Sequence, residues 1–165
     1  MRNNLFFLYL LAMAPALYGQ GEKESLDRLL DQWHLAASRA DFGGYFGPMA
    51  QDAVYIGTDA SENWPLEEFK AFTKPYFDKG KGWTFKAVER NIYVDPSGNF
   101  AWFDELLDSP HMKLCRGSGM LKKENGQWKI AHYVLSIVVP NALVGEVVKL
   151  KAPLDDSLLR ETRDR

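Results

Sequence analysis

The chain has little cysteine: Cys115 stands alone in 165 residues, so no intrachain disulfide can form, whatever the compartment. Inside a strand-like run, that free thiol reads as a small buried hydrophobe rather than a reactive group. Metal-ligand spacing is also missing. His34, His111 and His132 lie far apart and no HxxxH or CxxC pattern occurs, so neither a metal nor any other cofactor is expected. There is no basic cluster. With 20 Lys+Arg against 22 Asp+Glu the net charge is −2, which gives no electrostatic reason to expect nucleic acid. The N-terminal apolar run, Leu5 to Leu17, is short of the roughly 20 residues that span a bilayer. Repeats, low-complexity segments and a second domain are absent from the pattern.

What the N-terminus does have is order. Arg2 precedes the apolar run, and Ala14-Pro15-Ala16 near its end is a small-residue cleavage site, so residues 1–19 read as a signal peptide. The mature protein is then expected to be exported, periplasmic or secreted, with no membrane association after cleavage. What remains is one domain over 22–150, large enough to bury a core without staples, and a flexible tail over 151–165.

Periodicity supplies the elements. Leu26, Leu29, Leu30, Trp33, Ala37 and Ala40 recur at helical spacing, with charges opposite, and Asp41-Phe42-Gly43-Gly44 ends that helix. One helical turn is expected within 45–50, a short strand over 52–58, a loop over 59–63, and a helix from Pro65 to about Asp78. Beyond Gly82 the period becomes two. Strands are expected over 83–94, 100–107, 113–123 and 127–138, with Asn125-Gly126 forming a type I′ hairpin turn between the last two. A short helix over 142–150 closes the domain. The fold class is α+β: a cone-shaped, strongly bent antiparallel sheet wrapped around a long N-terminal helix.

The Asn125-Gly126 turn pairs Glu124 with Gln127, and regular pairing then places His132 opposite Gly119 and Val134 opposite Gly117. Glycines inside a strand mark a bend or a close approach. Gly117 and Gly119 therefore leave empty volume on the face that carries His132, and that face is expected to line a pocket suited to a small apolar or amphipathic molecule. His132 would be its central polar group, or else a core histidine satisfied by a backbone carbonyl. The stretch AWFDELLDSPHMKLCRGSG leaves a register open, because one residue of slip exchanges the faces. One register pairs Asp104 with Arg116 outside and turns Glu105 inward. The other turns Trp102 and Asp104 inward, where desolvation would suit a carboxylate to acid–base work. His34 borders the first helix's apolar stripe, Tyr55 lies on the first short strand, and Trp64 lies in a loop able to cover the pocket mouth. Trp83 reads as core, and Arg90 as a solvent-exposed residue or a carboxylate anchor.

The segments WHLAASRADFGGYF, DAVYIGTDASENW, AWFDELL, CRGSGML and GQWKIAHYVLS resemble, in this order, the nuclear-transport-factor-2-like superfamily, and within it the polyketide-cyclase-like (SnoaL-like) domains. The resemblance covers roughly Leu26 to Asn141. It implies a cone-shaped fold of the NTF2-like or cystatin-like kind, a homodimer through the outer sheet face, and a cavity between the first helix and the sheet. It implies no reaction. The ketosteroid-isomerase-like members carry an oxyanion-donating tyrosine where this chain has Trp33, and a catalytic aspartate where it has Gly57, which argues against enol chemistry of that kind.

Three function classes follow: a binding domain holding a small, largely apolar ligand; an acid–base enzyme (cyclase, dehydratase or isomerase type) using His132 and a strand carboxylate such as Asp104; and a non-catalytic dimeric interaction module. The candidate ligand-contacting residues are Trp33, His34, Tyr55, Trp64, Trp102, Asp104, Glu105, Arg116, Gly117, Gly119 and His132. No reaction is assigned from the sequence.

Overall fold

A computed structural model describes the backbone of residues 4–163 and the side chains of residues 20–163. The expected signal peptide, residues 1–19, lies outside the described side chains, and the last two residues of the tail lie outside the described chain.

Among the described residues, four helices and six strands form one α+β unit: α1 (Asn4–Ser38), α2 (Phe42–Phe46), β1 (Met49–Ile56), β2 (Asn63–Pro65), α3 (Leu66–Phe77), β3 (Lys86–Val94), β4 (Phe100–Ser109), β5 (Lys113–Glu124), β6 (Gln127–Ile137) and α4 (Val144–Arg163), the last preceded by a single 3₁₀ turn. The sheet runs in the order β2-β1-β6-β5-β4-β3. It is mixed rather than wholly antiparallel, because β1 pairs with β6 in parallel.

Local chemistry explains most boundaries. Asp41 caps α2 by accepting from the Gly44 N–H at 2.9 Å, which draws the expected turn forward to 42–46. Pro65 immediately precedes α3, and Pro75 is accommodated within its last turn. Asp95 organises the β3–β4 loop, its Oδ1 accepting from the Phe100 N–H at 3.0 Å. Asn125 and Gly126 both take positive φ, 50° and 78°, and Glu124 pairs with Gln127 as the type I′ turn requires.

The core lies between α1, α2, α3 and the inner face of the sheet. Leu26, Leu30, Trp33, Ala37, Tyr45, Phe69, Leu107, Leu121, Ile130 and Tyr133 are all buried there. The indole N–H of Trp33 donates to the Tyr45 carbonyl at 2.9 Å and the two rings stack at 5.0 Å, tying α1 to α2.

Other expectations change as well. The stretch 63–65 is a short edge strand paired with β1, not loop. Trp83 precedes β3, which starts at Lys86. The C-terminal helix does not stop at 150: α4 continues through Pro153 to Arg163, taking up most of the expected tail, and none of its residues is buried. Among the described residues, no helix is long and apolar enough to cross a membrane.

Candidate functional site

Glu105 is the centre of a buried polar cluster. It sits on the inner face of β4, 1% exposed, in an apolar core. Its Oε1 accepts from Tyr133 Oη at 2.9 Å and lies 2.8 Å from His34 Nε2, while its Oε2 accepts from Arg90 Nε at 2.8 Å. Burial alone would push the carboxyl up. The hydrogen bond and charge of His34 and the Arg90 guanidinium outweigh burial and hold it below its ordinary value. An ionised carboxylate only accepts, so His34 Nε2 carries the hydrogen of that bond. Arg90 reaches back to α1, where Nη1 meets Asp27 Oδ1 at 2.5 Å and Asp31 Oδ1 at 2.9 Å. Burial and then the Glu105 charge push the Tyr133 hydroxyl well up, so it stays a neutral donor.

The cavity lies beside this cluster. It has a volume of about 290 Å³ and is bounded by β1, the loop after it, α3, Trp83, Phe85, Met112 and Leu135. Tyr55, Phe69, Phe85 and Leu135 are buried and form its floor, while Phe72 and Tyr76, 41% and 47% exposed, stand at its mouth. Its rings lie nearly flat on one another. Tyr55 and Phe69 stack at 4.0 Å and 14°, Trp64 and Phe69 at 5.5 Å and 15°, and Trp64 and Phe72 at 4.7 Å and 22°. Among the described residues that line it, Glu62 alone is charged. Tyr55 and Tyr133 stack at 5.5 Å and so connect the floor to the polar cluster.

The expected site residues divide accordingly. Tyr55 and Trp64 line the cavity, and His34 and Glu105 meet in the cluster. Trp33 is core. The register placing His132 inward is corrected by an irregularity between Met120 and Leu121: Leu121 still pairs with Ile130, but Met120 pairs with His132 and Gly119 with Tyr133. Tyr133 thereby takes the inward place and His132 turns to the outer side. The volume expected at the glycines is filled. A Cβ at Gly117 would overlap the Tyr133 hydroxyl and Glu105, and one at Gly119 would meet the Phe103 ring and the His132 carbonyl.

The β4–β5 register leaves Glu105 inward, opposite Gly117, across a three-residue loop from Pro110 to Met112. Asp104 therefore faces outward. It pairs with Ser118 instead of Arg116 and accepts from Asn91 Nδ2 at 3.1 Å. Arg116 is exposed opposite Leu106, and Trp102 is 51% exposed, stacked on Tyr93 at 5.7 Å. Trp102, Asp104, Arg116 and His132 thus stand apart from both the cavity and the cluster.

The cluster partners Arg90 and Tyr133, and most of the cavity walls, were not among the expected site residues. One signal for the cluster is present in the sequence: Asp27, Asp31 and His34 fall at i, i+4 and i+7, one polar stripe along a helix that is apolar beside it. Among the described residues, no group of three or more His, Cys, Asp or Glu side chains is disposed to hold a metal ion.

The model of the SnoaL-like domain matches residues 26–140. No curated protein matches. An NTF2-like protein of unknown function from Pseudomonas putida is similar in structure, with 15% identity, a TM-score of 0.63, and 74% of this chain and 90% of that chain covered. A domain of unknown function with a cystatin-like fold from Nostoc punctiforme has 13% identity, a TM-score of 0.63, and coverage of 88% and 98%. The association domain of CaMKII from C. elegans has 18% identity, a TM-score of 0.59, and coverage of 71% and 96%. At these identities the likeness shows the fold alone. The family rests on the domain match across the helix-and-sheet unit, and by it this chain belongs to the SnoaL-like domain family.

Proposed function

We propose that the chain is an exported SnoaL-like domain that binds a small, largely apolar molecule in the aromatic cavity between α3 and the sheet. The observation that carries this reading is the cavity itself: about 290 Å³, walled by Tyr55, Trp64, Phe69, Phe72, Trp83 and Phe85. Pockets that bind small molecules are concave and mostly apolar, with few polar groups. Export rests on the Arg2 and Leu5–Leu17 leader pattern, and Edman sequencing of the secreted protein would find a new N-terminus near residue 20 if that holds.

Native mass spectrometry of gently purified protein tests the binding reading. A discrete extra mass of small-molecule size supports it. Bare protein that also fails to enhance the fluorescence of the neutral probe N-phenyl-1-naphthylamine overturns it.

A second reading, an acid–base enzyme, is favoured by one observation: His34 and Glu105 meet at 2.8 Å beneath the cavity, with Tyr133 on the same oxygen. The proton-handling pair would then be His34 and Glu105, in place of His132 and Asp104. Three donors occupy Glu105, two on Oε1 and one on Oε2, and this weighs towards a structural role, because a base needs a free lone pair directed at substrate. Homodimerisation, through the outer face that exposes Tyr93, Phe100, Trp102 and Met120, is compatible with either reading. On its own, with the cavity unused, it would make the chain an interaction module.

A further inference from the structure

The cavity's chemistry is one-sided in charge, and this deepens the binding reading on which it rests. Among the described residues, Glu62 is the one carboxylic acid that lines it, and no Lys, Arg or His does. Arg90 pairs with Glu105, Asp27 and Asp31 through Nε and Nη1, and it is not among the residues that line the cavity. The walls add to the same sign at each ring face that another ring does not cover, since an aromatic face presents the negative lobe of its quadrupole. An anion entering here would shed its hydration and find no cationic partner. A cation would meet ring faces and a carboxylate.

The Glu62 carboxylate is held in place by its own loop. Its Oε2 accepts from the Asp59 N–H at 3.1 Å, its backbone N–H donates to the Asp59 carbonyl at 3.0 Å, and its carbonyl accepts from the Gly57 N–H at 2.9 Å. Gly57 is the residue that makes room: any Cβ there would overlap Glu62 Oε2 and the side chain behind it. The carboxylate's influence extends into the cavity, since burial and then the Glu62 charge push the Tyr55 hydroxyl up.

We propose that the cavity selects hydrophobic organic cations, a quaternary or protonated amine on an aromatic or branched apolar body, with Glu62 and the faces of Trp64 and Phe72 receiving the charge at the mouth and the buried rings receiving the apolar body. Aromatic walls together with a fixed carboxylate are the combination that recognises such cations.

The test uses three ligands of nearly one shape: phenyltrimethylammonium, its neutral isostere tert-butylbenzene, and benzenesulfonate. Each is titrated by calorimetry against the mature protein and its Glu62→Gln variant. Glutamine keeps an acceptor for the Asp59 N–H and removes only the charge. The cation is expected to bind about tenfold tighter than tert-butylbenzene, with no binding of the sulfonate, and Glu62→Gln is expected to reduce that ratio to about threefold, the share left to the ring faces. A neutral isostere that binds as tightly as the cation, a sulfonate that binds, or a ratio untouched by Glu62→Gln overturns the cation assignment and leaves an apolar pocket standing. If none of the three binds and N-phenyl-1-naphthylamine is also refused, the binding reading and the cation assignment fall together.

Discussion

Gly117 and Tyr133 occupy one space: the Tyr133 hydroxyl lies where a Cβ on Gly117 would be, and only a glycine lets it donate to Glu105 at 2.9 Å. A gap in a strand is thus filled by a polar side chain from the neighbouring strand.

Gly117→Ala is therefore expected to destabilise the fold by about 1–3 kcal/mol, through overpacking and displacement of the Tyr133 bond. Urea unfolding measures it. A change within about 0.5 kcal/mol, the range of ordinary surface substitutions, contradicts the arrangement.

Glu105→Ala removes the acceptor of three buried donors. Arg90 keeps Asp27 and Asp31, but His34 and Tyr133 lose their described partner. The expected cost is about 3–5 kcal/mol, that of breaking a buried ion pair from one side. Because Arg90 and Glu105 share a network, the cycle of Glu105→Gln with Arg90→Met should show a coupling of about 0.5–3 kcal/mol. Additive single effects would mean that the pair is not formed in solution.

The same carboxylate sets a pH dependence. Its folded-state pKa lies below its ordinary value, because His34 and Arg90 outweigh the effect of burial. In the unfolded chain a glutamate titrates near about 4.3. Between the two values the unfolded state holds more protons, so stability rises with pH across that window. The contribution is complete above the unfolded value and is lost as pH falls through the folded one. Urea midpoints measured downwards from about pH 6 should fall more steeply for the natural protein than for Glu105→Gln, with the difference lying below about pH 4.3. Parallel curves would contradict the assignment.

The outer sheet face supplies a prediction of its own. Trp102 and Tyr93 stack there, 51% and 44% exposed, and an apolar patch of this kind marks an interaction surface. Light scattering on the natural protein should give the mass of a dimer, and Trp102→Lys should give a monomer with unchanged circular dichroism. A natural protein that is monomeric contradicts the proposal.

Much of the fold was legible in the sequence because the signals were local. The Asn125-Gly126 turn set the last hairpin, and the stripe from Leu26 to Ala37 identified the buried side of α1. The site was less legible because it depends on counts that no local signal carries. A single irregularity beyond Leu121 replaced His132 by Tyr133 on the inner face. The three-residue loop at Pro110–Met112, with Lys113 at φ 60°, settled Glu105 over Asp104. Arg90 is buried only because Asp27, Asp31 and Glu105 converge on it from two distant parts of the chain. Conversely, the parallel pairing of β1 with β6 draws Tyr55 alongside Tyr133, so the cavity lies under β1 and α3 and not at the glycines of β5.

The central claim is that the cavity between α3 and the sheet is where a ligand binds, and Leu135→Trp tests it most directly. Leu135 is buried on the inner face and contributes to the cavity wall, so an indole at this position fills the space. Titration of N-phenyl-1-naphthylamine against both proteins should show saturable binding to the natural protein and none to Leu135→Trp, with both folded by circular dichroism. Equal binding to the two folded proteins would contradict the account.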